Sequence, residues 1–172
     1  MAVTDEARFE VLYHDLYPMV VRTVYLVIFD REVAADITHE SFLRLWQRRD
    51  RLAENSNEKA WLMKVAINLA IDHQRSLLTA LKHRLLPAPP SDPSVEALSQ
   101  LDREHMKKAL KKLPARDRAV LALRFEQDLS FPEISKILGE PDATLRTRVH
   151  RALARLQLQL TGSEPEWVAE KA

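Results

Sequence analysis

Residues 130–156 read SFPEISKILGEPDATLRTRVHRALARL, and the fold is decided in this stretch. Ser130 is followed three positions later by Glu133, the pattern of a capping box. The hydroxyl accepts from the backbone N–H near Glu133 while the carboxylate reaches back to the start of the helix. Pro132 falls in the first turn, where a missing donor costs little. Ile134, Ile137 and Leu138 form an apolar face, Ser135 is small enough for a second helix to cross closely, and Gly139 supplies a left-handed turn that ends the helix. A second helix is expected to begin around Pro141 and Asp142. Its residues Leu145, Val149, Ala152, Leu153 and Leu156 face inward, leaving Arg146, Thr147, Arg148, His150, Arg151 and Arg155 outside. This is a helix-turn-helix with an Arg-studded second helix. An Arg fork suits the N7 and O6 acceptors of guanine, and phosphates accept any basic residue, so duplex DNA is the expected ligand. The same spacing also describes an ordinary αα-hairpin with a solvated basic face.

Charge separates these two readings. The 172 residues carry a net charge of only +1. Residues 102–160 nevertheless hold 13 Lys and Arg against 8 Asp and Glu, whereas residues 1–75 hold 10 against 12. A basic module beside a mildly acidic one points to different partners, with phosphate backbone matching the basic one. Composition excludes much else. With no cysteine there is no disulfide, thiolate metal site or cysteine nucleophile. With two glycines, Gly139 and Gly162, neither a GxGxxG nor a GxxxxGK loop can be written, which argues against nucleotide-hydrolysing and Rossmann enzymes. The longest apolar run, Val24 to Phe29, is far short of a membrane span of about 20 residues, and Met1 to Arg8 has no signal core. The expected chain is a cytoplasmic non-enzyme that needs no cofactor or metal.

Upstream, apolar residues recur at helical spacing and no strand alternation competes, so the fold is all-α: two small helical domains joined by a Pro-rich linker. Pro18 is expected to break or kink the first helical stretch, Asp30 to cap a helix running to about Arg49, and Asn57 to cap one starting near Glu58. The expected division is a domain at 5–78, a linker at 79–101, the helix-turn-helix domain at 102–160 and a short tail at 161–172 that is frayed and adds no further domain. In the linker, LLPAPPSDPS at 85–94 places four of the nine prolines within seven positions. Such a segment stays extended at about 3.1 Å per residue, so the two modules can sit well apart on a large partner.

On the helix ending near Arg49, Asp36 and Glu40 share one face and Phe42, Leu45 and Trp46 the opposite one. Nothing around the two carboxylates suggests a pocket for acid/base chemistry. A solvated face and a docking surface for a basic partner both remain open. The polar loop RRDRLAENSNE at 48–58 then leads into a helix whose polar positions are Lys64, Asn68, His73 and Arg75, with Trp46 and Trp61 read as core.

Taken together, LYPMVVR at 16–22, DREVAADITHESFLRLW at 30–46, AWLMKVAINLAIDHQR at 60–75 and ALKKLPARDRAVLALRFEQDLSFPEISKILGEPDATLRTRVHRALARL at 109–156 resemble the extracytoplasmic-function sigma factors, the smallest class of sigma-70-type factors. The resemblance implies that the first half is a region 2 that docks on core RNA polymerase, on the clamp helices of beta prime, through Asp36, Ile37, His39, Glu40 and Leu43. It implies minus ten contacts by Arg51, Glu54, Asn55, Ser56, Trp61, Lys64, Asn68 and Arg75, with a base extruded from the non-template strand at the expense of binding contacts alone. The second half is implied to be a region 4 that meets the beta flap and reads the minus thirty-five element as duplex. Arg146, Thr147, His150 and Arg151 would face bases, with Lys136, Arg148 and Arg155 nearer phosphate. An anti-sigma factor is a further implied partner. His39 stands where the family often has Gln, and Ala143 and Thr144 where recognition helices often open with Gly-Thr. Neither breaks the fold. Two other functions fit the residues: a free-standing helix-turn-helix regulator that dimerises and reads a palindrome, and a helical adaptor for an acidic protein.

Overall fold

The computed structural model describes residues 5–48, 57–83 and 99–163, and these form seven α-helices. They are α1 (Asp5–Ile28), α2 (Arg31–Arg48), α3 (Glu58–His83), α4 (Ser99–Lys111), α5 (Ala115–Leu121), α6 (Phe131–Leu138) and α7 (Asp142–Thr161), with a π-helical turn over Ala122–Glu126. The loop residues Arg51, Glu54, Asn55 and Ser56, the central prolines of the linker and the tail beyond Ser163 lie outside the described residues.

Local chemistry sets the boundaries. The Val33 N–H donates to Asp30 Oδ1 at 3.1 Å and the Ala60 N–H to Asn57 Oδ1 at 2.9 Å, so both expected caps open their helices. Glu133 Oε2 accepts from the Ser130 N–H at 2.8 Å and from its hydroxyl at 2.6 Å. Gly139 closes α6 at φ 70°, a left-handed conformation that glycine adopts without a Cβ penalty. The same two Ser130 bonds, the hydroxyl's first, hold the Glu133 carboxyl below its ordinary pKa. A depressed acid stabilises the fold above its unfolded pKa, and that contribution is lost as pH falls through the folded value. Ser130→Ala is expected to lower unfolding stability by about 1 kcal/mol, measurable as a shifted urea midpoint. An unchanged midpoint would show that the cap is idle.

Three boundaries differ from the sequence reading. Pro18 lies inside α1, which continues through it for 24 residues. Pro18 and His14 are both on the exposed side, where a carbonyl left without its donor is open to water, while Val20, Val24 and Val27 beyond it are buried. Burial of that second segment outweighs the lost hydrogen bond. α3 extends to His83 and α4 starts at Ser99, so helix occupies both ends of the expected linker. α7 runs on to Thr161, and Leu153, expected to face inward, is 36% exposed.

The larger difference is in packing. α1, α2 and α3 pack on one another, and α5 and α6 each pack on α7, but α1 also packs on α5 and α3 on both α5 and α6. Buried residues from both halves, among them Val24, Phe42, Ile67, Leu123, Ile134 and Leu145, therefore belong to one contiguous apolar cluster. Without a partner the two helical modules pack on each other. Arg118, only 6% exposed, ties them together. Its Nε donates to the Val27 carbonyl at 2.7 Å, and its Nη1 to the carbonyls of Lys111 at 3.0 Å and Leu113 at 2.9 Å. One guanidinium thus satisfies a final-turn carbonyl of α1 and one of α4, which have no partner within their own helices, together with the Leu113 carbonyl just past α4. It also lies 5.8 Å from the ring centroid of Phe29, the residue that ends α1 in the left-handed region at φ 58°. Burial pushes the Arg118 pKa down. Gln127 Nε2 donates to the buried Thr23 hydroxyl at 2.9 Å, and Arg22 pairs with Glu126 at 2.6 Å.

Candidate nucleic-acid interface

α7 presents two classes of Arg. Arg148 and Arg155 turn toward α5. Arg148 Nη1 donates to Asp117 Oδ1 at 2.9 Å and Nη2 to Glu140 Oε2 at 3.0 Å, while Arg155 Nη1 reaches Asp117 Oδ2 at 3.2 Å. Asp117 is 4% exposed and Glu140 is also held by Arg116 at 2.7 Å. Desolvation on its own would lower the Arg148 pKa, but the hydrogen bonds it donates to Asp117 and Glu140 outweigh it and the group sits above its ordinary value. Its fork is therefore occupied by structural carboxylates, a correction to its placement near phosphate. Arg155 keeps a half-exposed side chain.

Arg146, Thr147, His150 and Arg151 share the exposed outer side of α7, and Lys136 is exposed on α6. The Thr147 hydroxyl donates back to the Ala143 carbonyl at 3.0 Å. The guanidinium of Arg146 lies over the Phe131 ring, 4.5 Å from its centroid. The first helix of the motif thus touches the principal cation of the second. No expectation included Asp117, Arg118 or Phe131. For the first two the only signal was a run of three charges, Arg116, Asp117 and Arg118, opening a segment otherwise apolar, ARDRAVLAL at 115–123.

The face of α2 is divided the same way. Ala34, Ile37, Thr38, Ser41, Phe42 and Leu45 are buried. Ile37, expected on the docking surface, is 9% exposed and belongs to the core, because positions 34, 38, 41 and 45 carry its side of the helix inward. Asp36 and His39 are exposed, Leu43 is 50% exposed, and Glu40 pairs with Arg44 at 2.7 Å. His39 lies against Tyr17 with ring centroids 5.3 Å apart. Trp46 packs edge-on to Phe9 at 4.9 Å. On α3, Trp61 is half-buried with Arg48 above its ring at 5.8 Å. Lys64, Asn68 and Arg75 follow at helical spacing on the exposed side, Arg75 beside Asp72 at 3.7 Å.

Comparison with known families places both faces in one context. The model of sigma-70 region 2 matches residues 12–78 and that of sigma-70 region 4 matches residues 103–156, more than two thirds of the chain between them. The RNA polymerase sigma factor SigV of Bacillus subtilis strain 168 is 31% identical over 145 residues, covering 81% of this chain and 83% of its own. The ECF RNA polymerase sigma factor SigW of the same strain is 30% identical over 151 residues, covering 79% and 80%. The chain belongs to the extracytoplasmic-function class of sigma-70 factors. A sigma factor is an initiation factor of transcription and not in itself a catalyst. The fold is shared with the sigma factor RpoE of Bartonella quintana, solved in complex with the anti-sigma factor NepR: TM-score 0.74, 23% identity, 89% of this chain and 96% of that one. In this sigma factor the region 2 match takes in α2 and the Trp61 to Arg75 stripe, and the region 4 match takes in Asp117, the turn at Gly139 and the Arg face of α7. No helix among the described residues is long and apolar enough to cross a membrane.

Proposed function

We propose that this sigma factor docks on core RNA polymerase through Asp36, His39, Glu40 and Leu43 of α2, and reads promoter duplex through Arg146, Thr147, His150 and Arg151 of α7. The observation that carries the proposal is the pairing, on one chain, of an acidic face with an exposed leucine at its tip and an Arg face on which Arg146 and Arg151 form no ion pair with a described carboxylate. The first suits a cationic, partly apolar surface such as the beta prime clamp helices, and the second suits phosphate and guanine edges. Lys136 and the free donors of Arg155 are placed to meet phosphate, and Trp61, Lys64, Asn68 and Arg75 to line the melted minus ten strand. Work on chromosomal promoters puts the protein in the cytoplasm.

A two-point promoter contact needs the halves apart, so docking on polymerase exchanges the α1–α5 and α3–α6 packing for contacts to beta prime and the beta flap. The Pro-rich connection has the reach for this. An anti-sigma factor that binds the packed arrangement would hold the protein inactive by the same linkage. A free-standing regulator has no use for a region 2, so that reading is not favoured.

Reversing Asp36 and Glu40 to Lys together is expected to weaken assembly with core polymerase by about ten-fold or more, as like charges meet across the interface. Affinity for core is read by fluorescence anisotropy of labelled protein. Normal assembly by this variant would overturn the docking assignment.

A further inference from the structure

We propose that Phe131 is a positioning residue for promoter reading: its ring is the platform on which the Arg146 guanidinium is pre-oriented before duplex arrives. This inference rests on the assignment of Arg146 to the duplex contact and deepens it. The geometry has three parts.

The ring is fixed. Phe131 opens α6, whose start is held by the Ser130 and Glu133 capping box, and it is half-buried against the apolar cluster. A platform on a capped helix end that also packs on the core has little freedom to follow a moving side chain.

The cation over it is mobile on its own. Arg146 has an exposed, four-torsion side chain with no hydrogen bond or ion pair to another described residue, unlike Arg148 and Arg155, which Asp117 holds. Among the described residues its polar head rests on the Phe131 ring, 4.5 Å from the centroid. Ordering such a side chain at an interface costs about 0.5 to 1.5 kcal/mol unless it is ordered beforehand.

Stacking also uses the right part of the group. A guanidinium rests on an aromatic face through its own plane, while its N–H donors point outward in that plane. The ring therefore fixes direction without consuming the fork that guanine N7 and O6 would accept. A salt bridge would consume it, as at Arg148. Arg124 lies over the same ring at 5.7 Å, but its Nη1 donates to the Leu129 carbonyl at 3.0 Å and it pairs with Asp128 at 3.6 Å, so it is anchored elsewhere. Of these two guanidinium groups over the ring, Arg146 is the one whose donors no described residue accepts.

The test uses holoenzyme reconstituted from the full chain and core polymerase, on a promoter library randomised across the upstream element. The readout is discrimination: initiation from the most enriched sequence relative to the library mean. Phe131→Leu keeps the apolar packing and removes the π face, and is expected to lower discrimination about two- to five-fold, the range for an exposed cation–π contact. Phe131→Tyr keeps the ring and should retain wild-type discrimination. Arg146→Lys keeps the charge without the planar fork and should lose as much as Arg146→Ala. Phe131→Leu combined with Arg146→Ala should be no worse than Arg146→Ala alone, since the ring acts only through the guanidinium. A merely structural Phe131 predicts independent, multiplying losses and a weakened affinity for core, and either result would overturn the proposal. Wild-type discrimination by Phe131→Leu, with Arg146→Ala impaired, would remove the platform and leave the duplex assignment standing. Wild-type discrimination by Arg146→Ala would remove both. Should Phe131→Leu fail to fold, the pair Phe131→Tyr and Arg146→Lys decides: loss with Tyr, or retention with Lys, refutes the stacking role.

Discussion

Arg118→Met is expected to lower the free energy of unfolding by about 3 kcal/mol, because three carbonyls lose their donor together and each buried acceptor left unsatisfied costs roughly 1 to 3 kcal/mol. Relief from burying the charge offsets part of that sum. The guanidinium caps α1 through Val27 and α4 through Lys111 at the same time, and holds the Leu113 carbonyl in the turn that follows α4. Its loss therefore acts on the joint between the halves as well as on each helix end. Arg118→Lys should recover little, since one ammonium on a flexible stem cannot reproduce a planar fork spanning acceptors on two helices. Urea denaturation followed by circular dichroism measures the first effect, and small-angle scattering the second, as an increased radius of gyration in Arg118→Met. A wild-type urea midpoint would mean that water replaces the guanidinium at no cost and that the joint is held by apolar contact alone.

Arg146→Ala and Arg151→Ala are each expected to weaken promoter selection by about 1 to 3 kcal/mol while leaving affinity for core polymerase unchanged. The two side chains are on the outer side of α7, away from the carboxylates that hold Arg148 and Arg155. Competition between promoter and random duplex for the holoenzyme measures the loss. Lys136→Ala should behave differently, weakening all sequences alike and reducing the salt slope by about 1, as expected of a phosphate contact. Loss of core binding in the two Arg variants would mean that α7 serves the fold or the polymerase instead of the duplex.

Whether a feature was legible in the sequence depended on the distance over which its physics acts. Asp30, Asn57 and Ser130 were recognisable as helix starts because a cap is satisfied within three residues. Gly139 was recognisable as a stop because a left-handed residue is cheap only for glycine. The exposed row on α7 followed from the helical period, as did most of the inward one. The same period misplaced Leu153, which lies at the margin of an apolar stripe where the neighbouring helix decides between core and surface, whereas Ile37 was put on the docking face by the resemblance alone and is taken by the core. Of the two outcomes expected at Pro18, the break does not occur, for a related reason. Its local penalty is real, but burial of Val20, Val24 and Val27 beyond it keeps α1 continuous.

The Arg-studded face of α7 was read as one cationic surface because a sequence gives each Arg the same charge and the same reach. Tertiary structure divided it. Asp117 comes from α5, 31 residues before Arg148, and Glu140 from the turn before α7, and together they convert part of the face into a structural clamp. Phe131, 15 residues before Arg146, gives the remaining fork a support.

By itself the sequence determined the helices, their caps, the helix-turn-helix and the family, because these depend on periodicity, on hydrogen bonds closed within one turn and on motifs written in consecutive residues. Only the tertiary structure decided that the two halves share one core, that Arg118 joins them and which of the α7 guanidinium groups remain available to a partner. Those outcomes depend on which carbonyls, carboxylates and rings arrive beside a given side chain from remote parts of the chain, and for a buried or half-buried Arg that neighbourhood sets whether its donors are consumed or free.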